Sequence, residues 1–416
     1  MYRVWYSTES FADFIIDNTE LKSKNVRKQK LYESDANNPR SFHTMPDHIR
    51  KILYLDSPDL IVEKEVEPIF SIEVSTEAGT GHNAFQRFAR IAASVENDVP
   101  AFYIYPEASI VTRRSAGNIT WDSINPSIFH ALEAVMGIYS IPALLFYFPT
   151  DFRDIPNAEE SSLQSSKGIR YDKNIIKYSG CPDSTDREMK ALFKCINEVI
   201  DKTNTSVIDG RRNLLKSLCI RERRTFMQSE AHRKSNGKSI REMSPLTATL
   251  EIPTEYLLNY LKQYEKGGYE IGELLKNRDK TIIYQVNAKF RGDPYPGAIA
   301  AIDYLLCREG KTYEDRKYNL ILAFGLIEAD HENQIISFSN KTKKSSSIEL
   351  LVDALQKSEN HNLLKEDYGN LRNFEIPRYY MQMRYGSTYS KVKHIRVYSY
   401  FADAILFPDG SLWRDG

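Results

Sequence analysis

The stretch SPDLIVEKEVEPIFSIEVSTEAG, from Ser57 to Gly79, holds two apolar runs separated by a charged turn. DLIVE reads as a short strand, KEVEP as the turn, and IFSIEVST as a second strand rich in β-branched and aromatic residues. So tight a turn makes the pair antiparallel. Each run carries one carboxylate, Asp59 after a proline and Glu73 in mid-strand. A charge between Ile72 and Val74 is costly to bury without a partner.

Working outward, GTGHN (Gly79 to Asn83) leads into NAFQRFARIAASVEN. There Phe85, Phe88, Ala89, Ala92 and Val95 recur at helical spacing, with Asn83 or Thr80 as the cap. AFYIYP is a buried strand, SIFHALEAVMGIY a helix and PALLFYF another strand. Strands joined through helices add by crossovers. The expected fold class is therefore α/β: a mixed sheet flanked by helices over residues 1–150, in which residues 1–50 read as polar and helical. Residues 151–245 read as a linker and basic helical region. It includes an amphipathic helix with Met189, Leu192, Phe193, Ile196 and Val199 on one stripe. Residues 246–416 read as a second α/β or α+β domain. Its helices are PTEYLLNYLKQYEKGG, PGAIAAIDYLLCREG and IELLVDALQK. Its strands are TIIYQVNAKF, YNLILAFGLIE and a pair in HIRVYSYFADAILFPDGSLWRD.

The length of 416 residues fits two or three domains, and 41% hydrophobic with 27% charged residues fits a packed globular protein. The four cysteines stand singly, with no C-x-x-C pair. This argues against a zinc ribbon and reads as reduced thiols in a cytoplasmic protein. The N-terminus lacks the apolar core of a signal peptide, and the most apolar stretch, IPALLFYFP, is too short for a bilayer, so no membrane partner is expected. G-x-S-x-G, H-E-x-x-H, a helix-opening G-x-G-x-x-G and the kinase set are missing.

The formal net charge is +0, so a nucleic-acid binder of this composition must segregate its charge. Arg211 to Glu242 does so, with ten Lys and Arg against three acids. Arg211, Arg212, Arg221, Arg223 and Arg224 are candidates for contact with DNA phosphates; the alternative is a solvated helix face. His82 and Arg291 are further candidates for DNA contact. RGDPYPG, with Asp303, Arg308 and Arg316 after it, reads as a surface for base reading or domain contact. MRYGSTYSKVKHIR suits contact with the DNA backbone.

Two carboxylates on neighbouring strands can hold Mg²⁺, which takes oxygen ligands and is usually bound by one or two carboxylates plus substrate phosphate. Cross-strand neighbours sit about 5 Å apart. Alternation puts Glu73 and Ser75 on one face, and the Val74 carbonyl offers a further ligand. The competing reading is structural: Asp59 caps a turn, and Glu73 pairs with Arg87 or Arg90 in an edge strand.

Pro58-Asp59, Glu73-Val74-Ser75 and the following Gln86-Arg87 resemble the PD-(D/E)xK nuclease superfamily, over about residues 45–150. The strand and helix order is also similar to its common core. The resemblance implies Mg²⁺-dependent cleavage of double-stranded DNA, most often by type II restriction endonucleases. A homodimer and a cognate DNA methyltransferase in the same cell would accompany it. It casts Asp59 and Glu73 as metal ligands and Ser75 as the position of the base or water-orienting group. The departure is Ser75, which is lysine in the common pattern. Lys64 could swing in to take its place, Arg87 or Gln86 could lean over the site, or metal-bound water alone could suffice with Ser75 ordering it. Glu77 could add a contact. Remaining alternatives are an inactive DNA-binding protein and a nuclease for RNA or branched DNA.

Overall fold

The computed structural model describes residues 1–31, 45–53, 55–75, 81–106, 108–112, 119–148, 178, 180–263, 275, 277–286, 295–312, 314–342, 397–398, 400–408 and 412–413. The chain divides into two compact units, one drawn from Met1–Glu33 and Thr44–Lys238, the other chiefly from Ser239–Gly416. Among the described residues no helix is long and apolar enough to cross a membrane.

The first unit is α/β. Its sheet holds β1 (Tyr2–Tyr6), β2 (Val26–Lys30), β3 (Leu60–Lys64), β4 (Glu67–Val74), β5 (Ala101–Pro106) and β8 (Ala143–Phe148), in the order β2-β1-β3-β4-β5-β8. β1 runs parallel to β2 and antiparallel to β3; β3 and β4 are antiparallel; β4, β5 and β8 are parallel. β5 and β8 are buried along their whole length, which suits parallel strands covered on both faces. β6 (Ala108–Thr112) and β7 (Ile119–Ser123) form a separate hairpin that the sequence reading lacks. The helices of this unit are α1 (Glu9–Asn18), α2 (Asp47–Leu53), α3 (Phe88–Glu96), α4 (Ser127–Tyr139), α5 (Arg187–Lys202), α6 (Val207–Asn213) and α7 (Leu218–Ser235).

The helical expectation for residues 1–50 fails at both β1 and β2. YRVWY is aromatic and β-branched, and it buries Tyr2, Val4 and Trp5 once it pairs with β3. The sheet pairing outweighs the polar look of the segment. The α5 stripe is as expected, with all five of its residues buried, and Asp186 caps the helix by accepting from the Glu188 N–H at 2.9 Å.

The boundary drawn at residues 151–245 also changes. Residues 151–177 lie outside the described residues, but α5, α6 and α7 belong to the first unit. The reason is visible at β8, the last strand of the sheet. The Leu145 carbonyl accepts from Arg223 Nε at 2.8 Å, and the Leu145 N–H donates to Met227 Sδ at 3.4 Å. The Tyr147 N–H donates to Glu188 Oε2 at 3.1 Å. Side chains of α5 and α7 thus satisfy backbone groups that an open sheet edge would expose. At the opposite edge, β2 carries Arg27, Lys28 and Lys30, charges of the kind that deter edge pairing.

The second unit has a five-stranded mixed sheet in the order β15-β14-β11-β10-β9. Its strands are β9 (Thr249–Pro253), β10 (Lys280–Gln285), β11 (Asn319–Ala323), β14 (Ala404–Leu406) and β15 (Leu412–Trp413), with β12 (Ile327–Asp330) and β13 (Ile335–Phe338) as a separate hairpin. Helices α8 (Thr254–Leu261) and α9 (Tyr295–Ile302) match two of the expected helices, and Asp303–Cys307 continues α9 as a π-helical turn. The surface expected around Asp303, Arg308 and Arg316 is instead interior. Arg316 donates to Asp403 at 2.9 Å and to Asp303 at 2.7 Å, and Arg308 Nε donates to Asp303 Oδ2 at 2.8 Å. Asp303 and Asp403 are buried, so each needs these cations. Arg291, IELLVDALQK and MRYGSTYSKVKHIR lie outside the described residues, and residues 397–398 and 400–401, expected in a strand, are helical.

The β3–β4 turn places Glu65 at φ 52° and Val66 at φ 69°, the left-handed region that a β-branched side chain resists. Val66→Gly should raise unfolding stability by about 0.5–1 kcal/mol in urea titrations; a loss would mean that the turn is not left-handed. Arg223→Ala should cost about 3 kcal/mol, because it strips the β8 edge and leaves Glu188 unpaired. Arg221→Ala, on the exposed side of α7, should change stability by less than about 0.5 kcal/mol.

Candidate functional site

β3 and β4 pair with Leu60 opposite Ile72 and Ile61 opposite Ser71. Continued by one residue, that register sets Asp59 against Glu73. β4 is not an edge strand: it lies between β3 and β5, and it is buried from Pro68 to Glu73. Glu73 therefore sits at the centre of the sheet, with its side chain 1% exposed.

Asp59 is half-buried and bound at both oxygens. Oδ1 accepts from Ser7 Oγ at 3.1 Å, and Oδ2 accepts from the Val74 N–H at 2.9 Å. The Ser7 N–H also donates to the Asp59 carbonyl at 2.9 Å, which extends the β1–β3 pairing to the site.

Glu73 is bound on one side only. Arg90 Nη1 donates to Oε1 at 2.7 Å, and Arg87 Nε lies 3.2 Å from the same oxygen without making a hydrogen bond. Oε2 is buried and, among the described residues, has no hydrogen-bond partner. Arg90 is itself buried and reaches past Glu73, its Nε donating to Asp56 Oδ2 at 2.6 Å. Both arginines project from one face because they stand three residues apart across the junction into α3. Burial pushes the Glu73 carboxyl up to about 8; Arg90 and Arg87 pull it down, and Asp59 adds to the rise. Arg90 is held more firmly charged by Asp56 and Glu73. Beside Glu73 on β5, the Tyr103 hydroxyl donates to the Ala84 carbonyl at 3.1 Å, and burial raises its pKa.

Ser75 lies one residue beyond β4, buried, its N–H donating to the Ile104 carbonyl at 2.9 Å. The helix expected from Asn83 begins only at Phe88. Gly81–Arg87 is a 3₁₀ segment, which places Gln86, half-buried, and Arg87 in the tighter turn before α3. His82 has its backbone in this segment, and its side chain lies outside the described residues, as does Glu77. Lys64 is withdrawn: its Nζ donates to the carbonyls of Thr203 at 3.0 Å and Asn204 at 2.6 Å, past the end of α5.

The basic stretch is divided. Arg211 Nη1 donates to the Pro68 carbonyl at 2.5 Å, Arg223 binds Glu188 and Leu145, and Arg224 Nε donates to Glu133 at 2.9 Å. Arg212 and Arg221 are exposed. Of the five arginines, only these two face solvent freely enough to meet a large polyanion.

The competing structural reading paired Glu73 with Arg87 or Arg90 in an edge strand; both arginines lie beside Glu73, but β4 is an internal strand. The sequence reading missed Asp56, Ser7 and Tyr103. Asp56 stands in the irregular chain between α2 and β3, where no periodic pattern singles it out. Ser7 and Tyr103 come from strands whose register cannot be read locally.

The donor set fits Mg²⁺. Asp59, Glu73 Oε2 and the Val74 backbone offer hard oxygens, and a cation at Oε2 would relieve the carboxylate of its unpaired burial. Among the described residues no group of three or more His, Cys, Asp or Glu is arranged to hold a metal, so substrate phosphate and water would complete the shell. Comparison with known proteins finds no matching family model, no matching curated protein and no matching solved structure.

The raised Glu73 pKa sets a pH dependence. Without a divalent cation the folded protein keeps a proton that the unfolded chain releases near 4.5, so stability should fall as pH rises from about 4.5 to about 8 and then level. Glu73→Gln should remove that slope in urea titrations made with EDTA. Equal slopes in both proteins would mean that Glu73 is ionised throughout.

Proposed function

We propose that this chain is a Mg²⁺-dependent endonuclease that hydrolyses phosphodiester bonds in double-stranded DNA in the cytoplasm, with its centre at Asp59 and Glu73. The observation that carries the reading is Glu73 Oε2, a buried carboxylate oxygen without a hydrogen-bond partner among the described residues, on the strand facing a second carboxylate. The arrangement of β1, β3 and β4 as an antiparallel meander, followed by α3 and parallel β5, supports it. That order is similar to the common core of the PD-(D/E)xK nucleases.

When bound, Mg²⁺ supplies charge neutralisation on the phosphate and a more acidic attacking water. Asp59 and Glu73 would hold the ion, with the Val74 carbonyl as a further ligand. Ser7 and the Val74 N–H orient Asp59. Arg90 fixes Glu73 Oε1 and leaves Oε2 as the ligand atom; Asp56 offsets its charge, so the arginine does not cancel the carboxylate.

Ser75 cannot supply the positive charge of the usual lysine. Arg87 can: its side chain is 28% exposed, so its guanidinium meets both Glu73 and an incoming phosphate oxygen. Gln86 beside it would orient the water, and Ser75 would help to order it. Arg212 and Arg221 would hold the DNA backbone away from the centre. As a type II restriction enzyme the protein would act as a two-fold homodimer on a palindromic site, alongside a cognate methyltransferase.

A second reading has one observation in its favour. Two arginines already attend Glu73 while Ser75 stands in the lysine position, as a decayed site in a DNA-binding protein would allow.

Incubation of the purified protein with long double-stranded DNA separates the two. Discrete fragments are expected with Mg²⁺ and none with EDTA, and Asp59→Ala and Glu73→Ala should abolish them. Arg87→Ala should slow cleavage at least about 100-fold while retaining binding in gel shifts; Ser75→Ala should cost less than about tenfold, since serine only orders water. Intact DNA in every lane with binding retained would favour the inactive reading, and cleavage of RNA or branched DNA alone would change the substrate.

A further inference from the structure

The four cysteines are all buried and all reduced, yet they are not equivalent. Cys181 Sγ faces the Ser10 carbonyl at 3.7 Å, and Cys307 Sγ faces the Asn319 carbonyl at 3.9 Å. Burial raises both thiols, Cys181 to about 12. Cys195 and Cys219 face each other instead, with Sγ atoms 3.2 Å apart. They stand on different helices, Cys195 in the middle of α5 and Cys219 in the first turn of α7.

We propose that Cys195 and Cys219 are an oxidation site, at which hydrogen peroxide or another small hydroperoxide converts the pair into a reversible disulfide joining α5 to α7. The sulfurs already lie within van der Waals contact, so a bond of about 2.05 Å asks only for a small approach of two side chains.

The pair also has the asymmetry that the chemistry uses. Cys219 stands in the first turn of α7 and is the more exposed of the two, whereas Cys195 is buried in the middle of α5. Cys219 is therefore the nucleophile. Its thiolate attacks one peroxide oxygen; an S–O bond forms, the O–O bond breaks, and the departing hydroxide takes a proton to become water. The Cys195 sulfur then attacks the Cys219 sulfenic acid. The S–S bond forms, the S–O bond breaks, and the second hydroxide leaves with the Cys195 proton as water. Two thiols and one peroxide give one disulfide and two waters.

The bond would tie together the two helices that cover the β8 edge, closing a loop that contains α6. It involves neither Asp59 nor Glu73, so it stands whether or not those residues hold a metal.

The test treats the full-length folded protein with equimolar hydrogen peroxide, then alkylates it in denaturant and maps the peptides by mass spectrometry. A linked Cys195–Cys219 peptide is expected, with Cys181 and Cys307 the two thiols that still alkylate, and dithiothreitol should restore four. Thermal unfolding should shift upward in the oxidised protein and not in Cys195→Ser. Cys219→Ser should lose the linked peptide and the peroxide consumption together. Full alkylation of all four thiols after treatment, or Cys219 sulfinic acid with no linked peptide, would overturn the proposal in the wild-type protein itself, whatever the variants do.

Discussion

A carboxylate at the centre of a buried sheet constrains everything around it. Glu73 lies on a strand paired on both sides, where an unpaired charge would cost several kcal/mol. Arg90 answers that cost, and to do so it must come from the first turn of α3. Arg90 is then too charged for its own surroundings, and Asp56 is brought in before β3 to balance it. The position of α3 over β4 and the path of the chain between α2 and β3 both follow from one acid. Ser71 and Ser94, hydrogen-bonded at 2.8 Å, pin the same helix one step further along the strand.

The arginines elsewhere follow a related rule. Arg223 is 6% exposed and stacks its guanidinium over Phe146 and Phe226 while it binds Leu145 and Glu188. Arg211 is held at Pro68 beside the β3–β4 hairpin, and burial lowers its pKa. In the second unit Arg316 stands between Asp303 and Asp403. A stretch that reads as a cationic surface is thus partly a set of internal clamps, and the planar, multi-donor guanidinium suits that use better than an ammonium would. The surface charge left over is smaller than a count of letters suggests.

Much of the first unit was legible because its signals are local. The two strands around KEVEP, the apolar runs of β5 and β8, and the five-residue stripe of α5 each follow from alternation or helical spacing. β1 escaped because its strand character is confined to five residues and is completed only by pairing with β3, more than fifty residues away. The delayed start of α3 escaped because nothing in NAFQRF distinguishes a 3₁₀ turn from an α-helical one. At the site, the two acids and Arg87 could be picked out by type and spacing. Asp56 and Ser7 could not, since each acts through a partner that only the folded register supplies.

Whether Asp59 and Glu73 together hold a divalent cation can be read from Mn²⁺ binding by electron paramagnetic resonance, with short duplex DNA present to supply phosphate. The wild-type complex should sequester Mn²⁺, excess Mg²⁺ should displace it, and Asp59→Asn and Glu73→Gln should each lose it while still binding the DNA. Mn²⁺ uptake that is the same in all three proteins, or absent from the wild type, would leave Glu73 as one half of a buried ion pair and no metal centre.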